Sequence, residues 1–102
     1  MSRIVLCAVD AVSEGEAIAV GVGGHRYAVA KVDGQLHVID DRCPHAGGSL
    51  GDEGSVDGHT IECGWHEARF DLRSGVALSG PCKSPVHVHA ATVIDGQVCI
   101  ER

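Results

Sequence analysis

Cys43-Pro44-His45 and Cys63-Gly64-Trp65-His66 decide the reading of this chain. Together they spell Cys-x-His-x17-Cys-x2-His, so each stretch offers one thiol and one imidazole. Four such soft or borderline groups complete the coordination of a metal centre, with cysteine binding as the thiolate. A metal held this way also contributes to the folding of a small domain. Two centres compete for the pattern. A structural zinc takes two Cys and two His, but zinc sites usually pair Cys with Cys and His with His at short spacing. Here each stretch is mixed. That suits a two-iron, two-sulfide cluster in which both thiolates fall to one iron and both imidazoles to the other.

The residues around the two stretches carry a resemblance. Cys43-Pro44-His45-Ala46-Gly47-Gly48 and Cys63-Gly64-Trp65-His66-Glu67-Ala68-Arg69-Phe70-Asp71 resemble the two cluster-binding boxes of the Rieske family. The likeness runs over nearly the whole chain, from a strand pair before the first box to the Gly75 turn and the Pro81/Pro85 segment after the second. It is greatest to the small Rieske-type ferredoxins that serve bacterial ring-hydroxylating dioxygenases. Gly64 stands where proline is common in that family, and Glu67 where glycine is common.

The resemblance implies one [2Fe–2S] cluster per chain, held by Cys43, His45, Cys63 and His66. It implies an all-β fold: a Rieske-like antiparallel β-sandwich or small barrel. In that fold a base (1–40 and 86–102) carries an inserted cluster-binding lobe (41–85), with the two loops meeting at one tip. It further implies a one-electron carrier, not an enzyme. Electrons would pass from a flavin-containing ferredoxin reductase to the terminal oxygenase of a multicomponent aromatic-ring dioxygenase. The alternative is the small electron-transfer subunit of another oxidoreductase, in a nitrite reductase or diiron monooxygenase system. A zinc-stabilised interaction module is the third reading, and colour alone separates it from the others. Pro44 and Trp65 flank ligands and form a candidate docking rim, while Trp65 equally suits a cover over the cluster.

Charge sets an expectation for the potential. Two ferric ions, two sulfides and two thiolates sum to about zero when both imidazoles are neutral, so such a cluster accepts an electron more readily than an all-thiolate one. High-potential members of the family add a disulfide between the boxes and hydroxyl donors near the sulfurs. Gly48, Trp65, Ala68 and Phe70 stand at the matching positions and lack those groups. The expected midpoint therefore lies at the low end of the Rieske range, about −150 mV.

Composition agrees with a small β domain. The 102 residues include 14 Gly but one each of Phe, Tyr and Trp, which favours short strands and tight turns. A formal net charge of −6 argues against nucleic acid and anionic membranes; it suits a basic protein partner and equally well a charge that only keeps a small protein soluble. No apolar stretch approaches membrane-spanning length, and the cysteines number five. A soluble, cytoplasmic monomer with reduced thiols is expected. Cys7 and Cys99 lie in apolar strand patterns and read as small core residues, and Cys82 as a packing residue in a Pro-flanked loop. No Ser/His/Asp set, phosphate loop or nucleotide fingerprint is present. Nor is the chain long enough for the further domain that a mononuclear iron would need.

In chain order, strands are expected over Arg3 to Ala8, Ala17 to Val22, Arg26 to Val32 and Gln35 to Ile39, with hairpin turns at Gly23-Gly24 and Asp33-Gly34. A further hairpin, Gly54 to Asp57 and Thr60 to Glu62, lies between the boxes, and Ala68 to Leu72 alternates like a strand. Ser79 to Pro85 is expected as an irregular loop. Val86 to Ile94 and Gln97 to Glu101 are expected as a final hairpin turning at Asp95-Gly96, and no stretch shows a convincing helical period. His25, His37 and His59 read as surface, cross-strand or turn residues. His87 and His89 alternate with valines and read as the polar face of a strand.

Overall fold

A computed structural model describes residues 3–44, 48–64, 68–79 and 84–101. The strands are β1 (Arg3–Ala8), β2 (Ala17–Val22), β3 (His25–Val32), β4 (Gln35–Asp40), β5 (Ser55–Asp57), β6 (Thr60–Glu62), β7 (Arg69–Asp71), β8 (Ala77–Ser79), β9 (Val88–His89), β10 (Ala91–Ile94) and β11 (Gln97–Glu101). They form three antiparallel sheets, ordered β1-β11-β10, β2-β3-β4-β9 and β5-β6-β7-β8. The expected all-β fold is what the chain adopts.

Three two-residue turns set the registers. Gly23-Gly24, Asp33-Gly34 and Asp95-Gly96 all have positive φ at both positions, the backbone of a type I′ hairpin that matches strand twist. The Asp33-Gly34 turn is held from outside, since both its N–H groups donate to the Glu14 carboxylate at 2.7 and 2.8 Å. Those bonds, Gly34 first, keep the Glu14 carboxyl below the usual range.

The central sheet is covered on both faces, which explains why Tyr27, Ala28, Val29 and Ala30 are buried in succession. On one face Tyr27, Val29 and Val38 pack with Leu6, Val98 and Ile100 of the β1-β11-β10 sheet. On the other, the small side chains of Ala28 and Ala30, with Ile39, meet Leu50, Ile61, Phe70 and Leu72. Cys7 and Cys99 pack where expected: Cys99 is buried and Cys7 lies against the first of these cores, where burial raises its thiol pKa.

Three expectations are corrected. Leu50–Glu53 is one turn of helix, α1, capped by Ser49, whose hydroxyl accepts from the Asp52 N–H at 3.1 Å. Ala77–Ser79 pairs with β7 as a strand, so Ser79 closes a strand and does not open a loop, while residues 80–83 of the expected loop lie outside the described residues. The stretch from Val86 to Ile94 is not one strand. It breaks at Ala90, because β9 pairs with β4 in the central sheet while β10 pairs with β11 in the first sheet.

Candidate metal centre

The two boxes are built alike. The N–H of Cys43 donates to the carbonyl of Gly48 at 2.9 Å, and the N–H of Cys63 to the carbonyl of Ala68 at 2.7 Å. Each cysteine therefore opens a loop closed by a bond to the residue five places on. Each loop also caps an antiparallel ladder. Beneath the first, Arg42 bridges Ser49; beneath the second, Glu62 pairs with Arg69 across β6 and β7, reinforced by an ion pair of 3.0 Å. Cys43 and Cys63 are both buried and belong to one cluster of apolar side chains with Leu50, Ile61, Ala68 and Phe70. No disulfide joins them. Pro44 is exposed beside Cys43. His45, Trp65 and His66, with Cys82, lie outside the described residues.

Two cysteines brought into one core at the mouths of matching loops fit a thiolate-binding metal group. A thiolate there is costly unless a cation compensates it.

The supports of the first loop were not legible as functional residues. Asp41, buried, accepts from the Gly51 N–H at 2.8 Å, its carbonyl accepts from the Leu50 N–H at 2.8 Å, and Arg26 Nε lies 3.3 Å from its carboxylate. Asp41 thus ties both ends of the span that contains the first box. Gly51 sits backbone-to-backbone on β2: a Cβ there would lie 2.5 Å from the Ala19 nitrogen. The second loop meets the end of α1 at Gly64, where a Cβ would lie 2.5 Å from the Glu53 carbonyl oxygen. The packing of this chain therefore selects glycine at a position where proline is common in the family. Ala68 and Phe70, where high-potential members place hydroxyls nearby, are fully buried.

A second group of side chains lies on the central sheet. Asp40 Oδ1 is 2.8 Å from Nε2 of His25 and 2.8 Å from Nε2 of His89. Burial opposes ionisation of Asp40, but the bonds from His89 and His25 outweigh it and keep the carboxyl below its ordinary range. His89 is thus a cross-strand partner of Asp40, where its alternation with valines suggested a solvated face.

Among the described residues no helix is long and apolar enough to cross a membrane. Residues 2–90 match the Rieske [2Fe-2S] domain. The chain is 42% identical over 97 residues to the ferredoxin component of the p-cumate 2,3-dioxygenase system of Pseudomonas putida, spanning 94% of this chain and 82% of that one. Its fold superposes on a Sphingomonas yanoikuyae B1 ferredoxin with a TM-score of 0.93 at 38% identity, covering 99% of both chains. It also superposes on a chain of the solved complex of reduced oxygenase and oxidized ferredoxin in carbazole 1,9a-dioxygenase. There the TM-score is 0.87 at 32% identity, covering 96% of this chain and 91% of that one. The two matching loops, their buried cysteines and these likenesses converge: the chain belongs to the Rieske [2Fe-2S] family and is a one-cluster ferredoxin.

Proposed function

We propose that Cys43, His45, Cys63 and His66 hold the [2Fe–2S] cluster and that the chain carries single electrons to the terminal oxygenase of an aromatic-ring dioxygenase system. The observation that carries this reading is the pair of matching loops, each opened by a buried cysteine and closed five residues on. The electron donor in this reading is a flavin-containing reductase, and the chain acts as a cytoplasmic monomer whose cluster-binding lobe spans 41–85. The bound cluster supplies a one-electron couple. The protein's own contribution is to keep the cysteines out of water, to hold the loops in place through Asp41 and α1, and to withhold hydrogen bonds. Ala68 and Phe70 offer no side-chain donor, so the reduced charge is less stabilised and the midpoint falls at about −150 mV. Pro44, exposed on the first loop, and Trp65 form the apolar docking rim in this reading.

The test is the EPR spectrum of the dithionite-reduced protein purified without oxygen. Mixed His/Cys ligation gives a g-average clearly below that of all-Cys clusters. His45→Ala and His66→Ala each remove that signal. A colourless protein with one zinc would end the reading, and a midpoint above zero would end the argument about the potential. Trp65→Ala, with its cluster intact, lowers oxygenase-coupled turnover; unchanged turnover would remove Trp65 from the docking surface.

A further inference from the structure

Several histidines lie apart from the two boxes, and the sheet register gathers some of them. Tyr27 pairs with Asp40 across β3 and β4, and Val38 pairs with His89 across β4 and β9. Side chains two apart on a strand share a face. His25, Asp40 and His89 therefore project together from three adjacent strands, on the face that also carries Tyr27. Their side chains are 34%, 32% and 11% exposed. The fully buried ring of Tyr27 lies 4.6 Å from the His25 ring and 5.1 Å from the His89 ring, so both imidazoles rest on one fixed surface. One potential donor atom from each of His25, Asp40 and His89 falls within 4.8 Å of the others.

We propose that His25, Asp40 and His89 form a second metal site, for a divalent first-row ion such as Zn²⁺, separate from the cluster. Two imidazoles and one carboxylate are a donor set that zinc and its neighbours accept, with a position left over for water. Metal bonds of about 2.0–2.2 Å place neighbouring donors ~2.9 Å apart at a right angle and ~3.4 Å apart at the tetrahedral angle. The two Nε2–Oδ1 separations are 2.8 Å, so each His–Asp pair needs to open by about 0.1–0.6 Å, while the two imidazole donors, within 4.8 Å of one another, must settle at a similar spacing. Each imidazole binds the ion through its Nε2 lone pair and keeps its remaining proton on Nδ1; any second ring proton leaves to solvent. The strands are already hydrogen-bonded to one another, so little order has to be created. A cleft running from His25 and Asp40 past Arg26, Asp41 and Arg42 to Ser49 at the base of the first loop gives a hydrated ion access, with the Arg26 charge met by Asp41 and Asp52. Net charge favours a cation, at −6 for the chain. His87, exposed, has its ring 4.5 Å from that of His89, which places a further imidazole beside the site.

The test uses untagged, cluster-loaded protein dialysed against Zn²⁺ at pH 7.5, with iron and zinc counted per chain and the visible spectrum recorded. The expected result is one zinc in addition to the cluster iron. His25→Gln and His89→Gln each weaken zinc binding by at least about tenfold while the cluster spectrum stays as in the parent. His37→Gln, at a histidine away from the site, retains it. Saturating zinc also raises the melting temperature of the parent but not of the two site variants. His25 lies at a strand end, so H25Q keeps the test decisive should H89Q lose its cluster. Absence of zinc beyond the iron sites would overturn the proposal, leaving one carboxylate hydrogen-bonded to two imidazoles. So would zinc bound equally well by the parent, H25Q and H89Q.

Discussion

Gly64→Ala tests how the second loop is held. A Cβ at residue 64 would lie 2.5 Å from the Glu53 carbonyl oxygen, where ordinary contacts begin at 3.4 Å, so loop and helix must part by about 0.9 Å. The helix is poorly able to yield. Asp41 holds its first turn through the Leu50 and Gly51 N–H groups, and Gly51 is pressed against the β2 backbone. At the far end the Gly54 N–H closes onto the Leu50 carbonyl. The strain therefore falls on the loop that starts at Cys63. Overpacking of this size costs about 1–3 kcal/mol, and the stiffer unfolded chain returns about 0.4–1 kcal/mol. A net loss of ~1–2 kcal/mol lowers the melting temperature of a 100-residue domain by about 5–15 °C. The control is Gly21→Ala on β2, where a Cβ would stand 4.0 Å from its nearest neighbours and no crowding arises. The assay is loss of visible absorbance on heating, at matched scan rates because cluster loss is irreversible, together with iron per chain. Parent-like melting and full iron in G64A, alongside parent-like G21A, would refute the claim that Gly64 is selected by its contact with α1.

His37 gives a pH dependence. Its Nε2 is buried without a hydrogen-bond partner among the described residues, and its ring stands 5.5 Å from that of His59. Burial first, then His59 and Arg73, lower its pKa against the opposing pull of Asp71. The unfolded chain thus binds this proton more readily, so the stability His37 contributes is whole above about pH 6.5 and is lost as the pH falls through that value. Melting curves between pH 7.5 and 5.5 should flatten in His37→Phe; an unchanged slope would remove His37 as the cause. Gly75→Ala combines a φ of +79° with a Cβ driven into the Val86 carbonyl, whereas Gly24→Ala meets only its φ of +81°. The first should cost about 2–4 kcal/mol and the second about 1 kcal/mol in urea unfolding, and equal losses would mean the Val86 contact does not matter. Asp41→Ala leaves the Gly51 N–H buried without its acceptor and should cost about 2–3 kcal/mol in the same assay, with faster loss of iron. Retained stability would show that α1 is held by packing alone.

What was legible in the sequence, and what was not, divides along physical lines. The hairpins at Gly23-Gly24, Asp33-Gly34 and Asp95-Gly96 were readable because positive φ at consecutive positions restricts the residue choice locally. The two cysteine loops were readable as a pair because a thiol and an imidazole at short spacing have few other uses. The break at Ala90 was not. Val86, Val88 and Ala90 keep a period of two, and nothing in that period tells that the chain leaves β4 for β11. The pairing of His89 with Asp40 was hidden for the same reason, since alternation assigns a face but not a partner across 49 residues. The helix α1 is too short to have a period; its one local sign was Ser49 three residues before Asp52, a capping pattern that the structure uses.

The two loops look equivalent in sequence but depend on different parts of the molecule. The second rises from β6 and β7, its immediate neighbours in the chain, with Glu62 and Arg69 paired beneath it. The first has, among the described residues, the Arg42–Ser49 bridge and the adjoining Leu50–Asp41 backbone bond beneath it and borrows the rest: Arg26 from β3 for Asp41, and the backbone of β2 for Gly51. A site shared between two loops needs something that fixes one relative to the other. Here a single turn of helix does so, because its start is bound to Asp41 below the first loop and its last carbonyl rests on Gly64 in the second. The identity of donor groups is therefore local information, carried by a few adjacent residues. Their separation is tertiary information, carried by an aspartate and two glycines that bind nothing themselves.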